Sequence, residues 1–279
     1  MPEHRDRVVE LLRQVVAIPT AYPPGDATQI SAASVSQLKR LGYRTDAHAE
    51  VAGLVNVVAS IGEGAPHLVF NAHVDTVTFT FVTDEESLGE RGMAYLRNAG
   101  LVKPETLFLG APTSNALITS ERGAMWVCVE TSGKAAHTGA PEMGDNAVER
   151  VLRLVAYGQR ALLPRLAVWR DADSGEPDGT RSSELMRGTK GFASARDSAL
   201  VTTLAAAVAR ATRGPARFAG AIDAGDSRWS ADDGIEIASF GPGGSSEEHA
   251  ANEFVGLAEL ESSATINPAF VEQLAGLRG

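Results

Sequence analysis

A single cysteine, Cys128, is all the thiol chemistry available to this 279-residue chain. No intrachain disulfide can form, and no CxxC-type zinc or redox motif exists. Cys128 itself lies among apolar residues in "AMWVCVE" and reads as core rather than nucleophile. Basic residues are also in short supply: 25 Lys and Arg stand against 35 Asp and Glu, a formal charge of −10. Nucleic acids and anionic membranes need clustered Lys and Arg, so both are excluded as partners. Long apolar runs are missing too. The opening "MPEHRDRVVELLRQVVAIP" carries charge where a secretory leader would be apolar, and no uncharged stretch approaches membrane-spanning length. The expectation is a soluble, cytoplasmic protein.

What is present is enough apolar content, 44% of residues, to bury a substantial core in one large domain, alone or with a small insert. Val8, Leu11, Leu12, Val15 and Val16 recur at helical spacing before Pro19. A turn-rich loop follows, and then a second amphipathic helix through Val35, Leu38 and Leu41 to Gly42. "GLVNVVASIG", "HLVFNAHVD", "TFTFVTDEE" and "TLFLGAPT" are short Val- and Phe-rich runs that read as buried strands, with a helix over "LGERGMAYLRNAG". "SALVTTLAAAVARATRG" is a strong helix, "IEIASFGPGG" a strand running into a loop, and the tail is helical. Strands alternating with helices predict an α/β sheet. Between them, "AMWVCVETSG" reads as one strand, "NAVERVLRLVAYGQRALL" as one helix, and about 170–190 as a flexible polar loop. The division expected is 1–122 plus 191–279 for the α/β domain and 123–190 for the insert.

His73, Asp75, Glu85, Glu86 and His249 each follow an apolar, strand-like run or its adjoining loop. Open α/β sheets assemble sites at the carboxyl ends of their strands, so these groups can converge there. In "HVD" the imidazole offers a nitrogen to a metal while the carboxylate two residues on takes its other N–H. Paired glutamates can supply one ligand and one general base. Each signal alone also fits an ordinary polar surface. The glycines of "GPGGSS" present backbone N–H groups that can cup an anion, which puts Gly243 among the candidate substrate contacts.

Taken in order, "VVAIPTAYPPGD", "LVFNAHVDTV", "FVTDEES", "LGAPTSNALITSERGAMWVCVETSGKAAHTGAPEMGDNA" and "SFGPGGSSEEHAANEFV" resemble successive landmarks of the M20 metallopeptidases, which include aminoacylases, deacylases and carboxypeptidases. The resemblance implies an M20 zinc-exopeptidase-like (phosphorylase/hydrolase-like) α/β three-layer sandwich with a lid or dimerisation insert. It implies His73 as a zinc ligand backed by Asp75, Glu85 as general base, and Glu86 and His249 as ligands of a second zinc. By the same likeness His137 in "AAHTG" reaches substrate from the insert, and Arg228 in "DSRW" and Asn146 in "GDNA" are substrate contacts.

Two departures bear on that set. The family separates HxD from DEE by some dozens of residues that bring a metal-bridging Asp; here "HVDTV" runs directly into "TFTFVTDEE". The family's "GEPT"-like loop carries a ligand carboxylate, and here it reads "GAPT", with Ala111. In a one-metal hydrolase, Asp84 or Asp75 would stand in for the bridge. The insert also reads as truncated, its single strand leaving an edge for a partner chain. The function expected is a degenerate relative that has lost two-zinc hydrolysis. It would work with a partner subunit in metal-free acid–base chemistry or cyclisation of an amino-acid-derived intermediate in natural-product biosynthesis. No cofactor is expected, or one residual zinc. The alternatives are a zinc-dependent deacylase or small-peptide hydrolase, and a non-catalytic scaffold subunit. The partner, homo- or hetero-oligomeric, would dock through 123–160.

Overall fold

Leu107, Leu109 and Ile237 point to one side of a sheet whose other side carries Phe108 and Ala238, and both sides are buried. That two-sided burial is why these strands are short continuous apolar runs rather than alternating ones. The computed structural model describes residues 2–20, 26–63, 68–71, 82–87, 89–126, 129–157, 160, 180–182, 187–244, 246, 248 and 252–276. These form two compact units, Met1–Gly123 with Lys190–Gly279, and Ala124–Thr189.

The first unit opens with α1 (Pro2–Val16), α2 (Thr28–Arg40) and an antiparallel pair, β1 (Arg44–His48) with β2 (Asn56–Ser60). The remaining elements are β3 (Leu68–Asn71), α3 (Met93–Asn98), β4 (Thr106–Leu109) and β5 (Leu117–Glu121). After the insert come α5 (Ala199–Thr212), β10 (Phe218–Ala221), β11 (Glu236–Ser239) and α6 (Leu257–Gly276). The main sheet has the order β10-β5-β11-β4-β3. Strands β3, β4 and β11 run parallel, so their carboxyl ends share one edge; β5 is antiparallel to β11 and parallel to β10. On one face α5 and α6 pack Leu200, Leu204, Ile266 and Phe270 onto Phe108, Leu117 and Phe240. On the other, Val82, Met93, Leu96 and Phe192 cover Leu107, Leu109 and Ile237. The mixed α/β layering is the one expected.

The second unit differs from expectation. It holds β6 (Met125–Trp126), β7 (Val129–Thr131), α4 (Ala147–Tyr157), β8 (Thr180–Ser182) and β9 (Arg187–Gly188). β6 pairs antiparallel with β9, and β7 with β8. The insert is therefore not a lone strand and helix. The polar stretch expected to be loop to residue 190 returns two short strands, which hydrogen-bond one edge of the strand expected to stand alone. Ladder hydrogen bonds come from the backbone, and two- or three-residue strands leave no apolar alternation to read. A second correction concerns "TFTFVTDEE": residues 78–81 lie outside the described residues, and Thr83–Glu86 is not strand. Glu85–Ser87 is a single 3₁₀ turn, entered through Asp84 at φ 69°.

Candidate active site

The turn that carries Glu85 and Glu86 is tied down at both ends by one side chain. Asn56, fully buried on β2, accepts from the Thr83 N–H at 2.9 Å and the Thr83 hydroxyl at 3.3 Å, and donates to the Arg91 carbonyl at 2.8 Å. Asp84 closes the same loop from within, its Oδ2 accepting from Arg91 N–H at 3.0 Å and its carbonyl from Gly89 N–H at 2.6 Å. Carboxylate-bearing Asp tolerates the left-handed backbone here better than most residues, because its short side chain hydrogen-bonds locally. Gly92 must be glycine: a methyl group there would collide with the Thr83 carbonyl.

Glu85 is thus presented from a rigid loop and is itself buried at 8% exposure. Its carboxylate meets the guanidinium of Arg228, Nη2 against Oε1, with the two side chains only 10% and 4% exposed. Arg228 sits on a second 3₁₀ turn, Asp226–Trp229, and is gripped by that turn's own backbone. Its Nε donates to the Gly225 carbonyl at 2.5 Å and Nη2 to the Ala224 carbonyl at 2.8 Å. Asn71, the last residue of β3, donates from Nδ2 to Asp226 Oδ2 at 3.0 Å, so the turn is hung from the carboxyl edge of the parallel strands. Glu121, the last residue of β5, accepts from Gly225 N–H at 2.6 Å and from the Ser227 hydroxyl at 2.5 Å. Burial pushes the Glu121 carboxyl above its ordinary value, the two hydrogen bonds and nearby Arg228 opposing and Asp223 adding to the rise.

Other expected site residues take different places. Glu86 is half-buried on the same turn as Glu85. His73, Asp75 and His249, with Cys128, lie outside the described residues. Ala111 follows β4 by two residues, and its carbonyl packs against Gly241, where any side chain would clash. Gly243, at φ 81°, has its N–H on Glu259 Oε2 at 2.8 Å, so the anion cupped by that loop is a carboxylate of the chain's own α6. In the second unit, Asn146 Oδ1 accepts from Val148 N–H at 3.0 Å and caps α4. His137 is exposed, and its Nδ1 accepts from Gly139 N–H at 3.0 Å, which leaves Nε2 as the nitrogen able to donate outward. Among the described residues no three His, Cys, Asp or Glu side chains are grouped to hold a metal ion.

Asn56, Glu121 and Asn71 were not foreseen as parts of this site, and Asp84, expected as a substitute for the metal bridge, closes the loop on Arg91 N–H instead. Their signal was available: each is a polar residue inside or just after an apolar strand run, where an unpaired side chain would be costly.

Residues 119–195 match the peptidase dimerisation domain of the M20 peptidases. A structure of an M20 metallo-carboxypeptidase from Sulfolobus solfataricus superposes with a TM-score of 0.71 at 9% identity, covering 96% of this chain and 99% of that one. A dinuclear metal-binding M20 peptidase from Bacillus subtilis gives 0.61 at 10% identity over 99% of both chains. This chain is M20-metallopeptidase-like. By sequence it is 33% identical over 105 residues to a protein of Paracoccidioides brasiliensis named "Probable carboxypeptidase". That match takes in 36% of this chain and only 23% of the relative's length. None of the M20-like chain's described helices is long and apolar enough to cross a membrane.

Proposed function

We propose that this M20-like chain hydrolyses an amide bond in a small amino-acid-derived substrate, a peptide with a free carboxyl end or an N-acyl amino acid, with Glu85 as the general base. The observation that carries the reading is Glu85 itself: a buried carboxylate on a doubly tied turn, with the Arg228 guanidinium against it. A base held in one orientation, near the edge where parallel strands end, is what proton transfer to a positioned leaving group requires. Glu85 takes the proton of the attacking water and returns it to the leaving nitrogen. The likeness to carboxypeptidase-named relatives supports the substrate class.

A metal is limited by position 111. The Ala111 methyl has no lone pair and its carbonyl is packed on Gly241, so the family's two-ion centre does not fit this chain. His73, Glu86 and His249 remain as two imidazoles and one carboxylate, a donor set that suits a single catalytic zinc. Such an ion would supply a Lewis acid and a water of lowered pKa. The competing reading is metal-free acid–base or cyclising chemistry with a partner subunit. The Glu85–Arg228 pair bears on it, because it sets an acid–base side chain beside a buried guanidinium.

The test is metal content by elemental analysis, together with release of amino acid from N-acetyl amino acids and dipeptides before and after chelation. One zinc per chain with chelator-sensitive release supports the single-metal hydrolase. No release from any of these substrates sinks it and leaves the metal-free reading.

A further inference from the structure

Arg228 reaches Glu85 only because the short turn that carries it is held in place, and the turn's anchor lies on a different strand. Three of the turn's polar groups are taken up by residues of other strands. The Gly225 N–H and Ser227 hydroxyl go to the Glu121 carboxylate, and the Asp226 carboxylate goes to Asn71 Nδ2. The carbonyls of Ala224 and Gly225 go to Arg228 itself. The peptide unit 224–225 is therefore the middle link, its N–H on Glu121 and its carbonyl on Arg228, in a chain of contacts running Glu121, Gly225, Arg228, Glu85. Both Glu121 bonds are short and charge-assisted, the strong kind of hydrogen bond. Asn71 holds the turn at Asp226, and Glu121 holds it at two further groups, the Gly225 N–H and the Ser227 hydroxyl.

We propose that Glu121 is a positioning residue: its carboxylate sets the turn 225–228 so that the Arg228 guanidinium lies against Glu85 in the orientation the base needs. This rests on the reading of Glu85 as general base, but the mechanical part is separable. Trp229, at the end of the same turn, is half-buried and packs over Gly89, so its indole reports where the turn sits.

The experiment places E121A and E121Q in a W126F/W169F background, leaving Trp229 as the one tryptophan among the three in the chain. Acrylamide quenching of Trp229 is measured beside kcat and KM on the amide substrate that the wild type cleaves. Gln keeps an acceptor oxygen and folds in place of Glu, so it guards against a null result from an unfolded E121A. The expected result is easier quenching in the order wild type, E121Q, E121A. With it, kcat should fall about 10- to 100-fold in E121A while KM holds, a loss typical of a misplaced group far from the bound substrate. Unchanged quenching in both folded variants overturns the proposal, as does easier quenching with an unchanged kcat. If the wild type cleaves no amide, the hydrolase reading fails by itself and the quenching series alone decides the clamp.

Discussion

Arg228 and Glu85 form an ion pair whose side chains are only 4% and 10% exposed, and that burial decides what losing either partner costs. A buried pair is weak evidence of net stabilisation, because both ions give up hydration. Removing one partner is different, since the other charge stays behind in a medium that cannot solvate it. R228A is expected to lower stability by about 3–5 kcal/mol, read as a fall in Tm on the order of 10 °C for a unit of this size. R228M/E85M, which removes both charges and keeps the volume, should recover most of that loss. A double variant as unstable as R228A would mean that Arg228 acts mainly through its grip on Ala224 and Gly225.

Glu121 makes a second prediction at this scale, and its sign follows from burial. Its folded carboxyl titrates above the ordinary value of 4.5, chiefly because the charged form is desolvated. The folded state therefore binds the proton more tightly than the unfolded chain does. Stability from this group is fully present below pH 4.5 and is lost as pH rises through the raised folded value. E121Q cannot ionise, so it should be free of that loss. Urea denaturation of both proteins between pH 4 and 8 checks this: the wild type should weaken relative to E121Q as pH rises, and a constant difference would contradict it.

Elements, unlike single side chains, were legible where periodicity lasted long enough. α5 and α6 bury one face over several turns, and their apolar spacing showed it; Ser198 caps the first and Arg213, at φ 57°, ends it just before Gly214. β1 was not seen because "RTDAH" is at best half-buried and carries no alternating apolar face. β5 and β10 were passed over for a related reason: "LITSE" and "FAGA" end in small or polar residues. The turn at Glu85 was misread as strand, since "TFTFV" has strand composition and nothing in it reveals that Asn56, 27 residues earlier, takes the Thr83 N–H. Side-chain locks between distant residues are not periodic, so no local pattern records them. The same lock gives a test of the loop. G92A should push Thr83 away from Asn56 and cost about 1–3 kcal/mol by overpacking, with a larger loss of turnover than of stability. G214A, where a methyl meets open space, should change neither. Equal behaviour of the two variants in thermal melts and turnover would show that the 83–92 loop is not rigid.

At the scale of the whole molecule, the match of residues 119–195 to a peptidase dimerisation domain supports association of two copies of this chain, and the insert has a surface suited to it. Helix α4 leaves Val148, Leu152 and Val155 at 65%, 60% and 53% exposure. Their spacing of four and three residues lines them along one face, and an apolar stripe of that kind on a helix is unusual unless something covers it. A second copy is predicted to be the occupant. Both copies carry a formal charge of −10, so long-range repulsion opposes the encounter and salt should relieve it. The expected outcome in light scattering after gel filtration is about twice the chain mass, strengthened from 50 to 300 mM salt. L152E should shift the mass to that of one chain, because it places a charge in the middle of the stripe where it would be buried without a partner. A wild-type chain that stays single at every concentration would remove the stripe as an interface. A dimer that L152E leaves intact would place the interface elsewhere, and the paired strands of the insert would be the next surface to change.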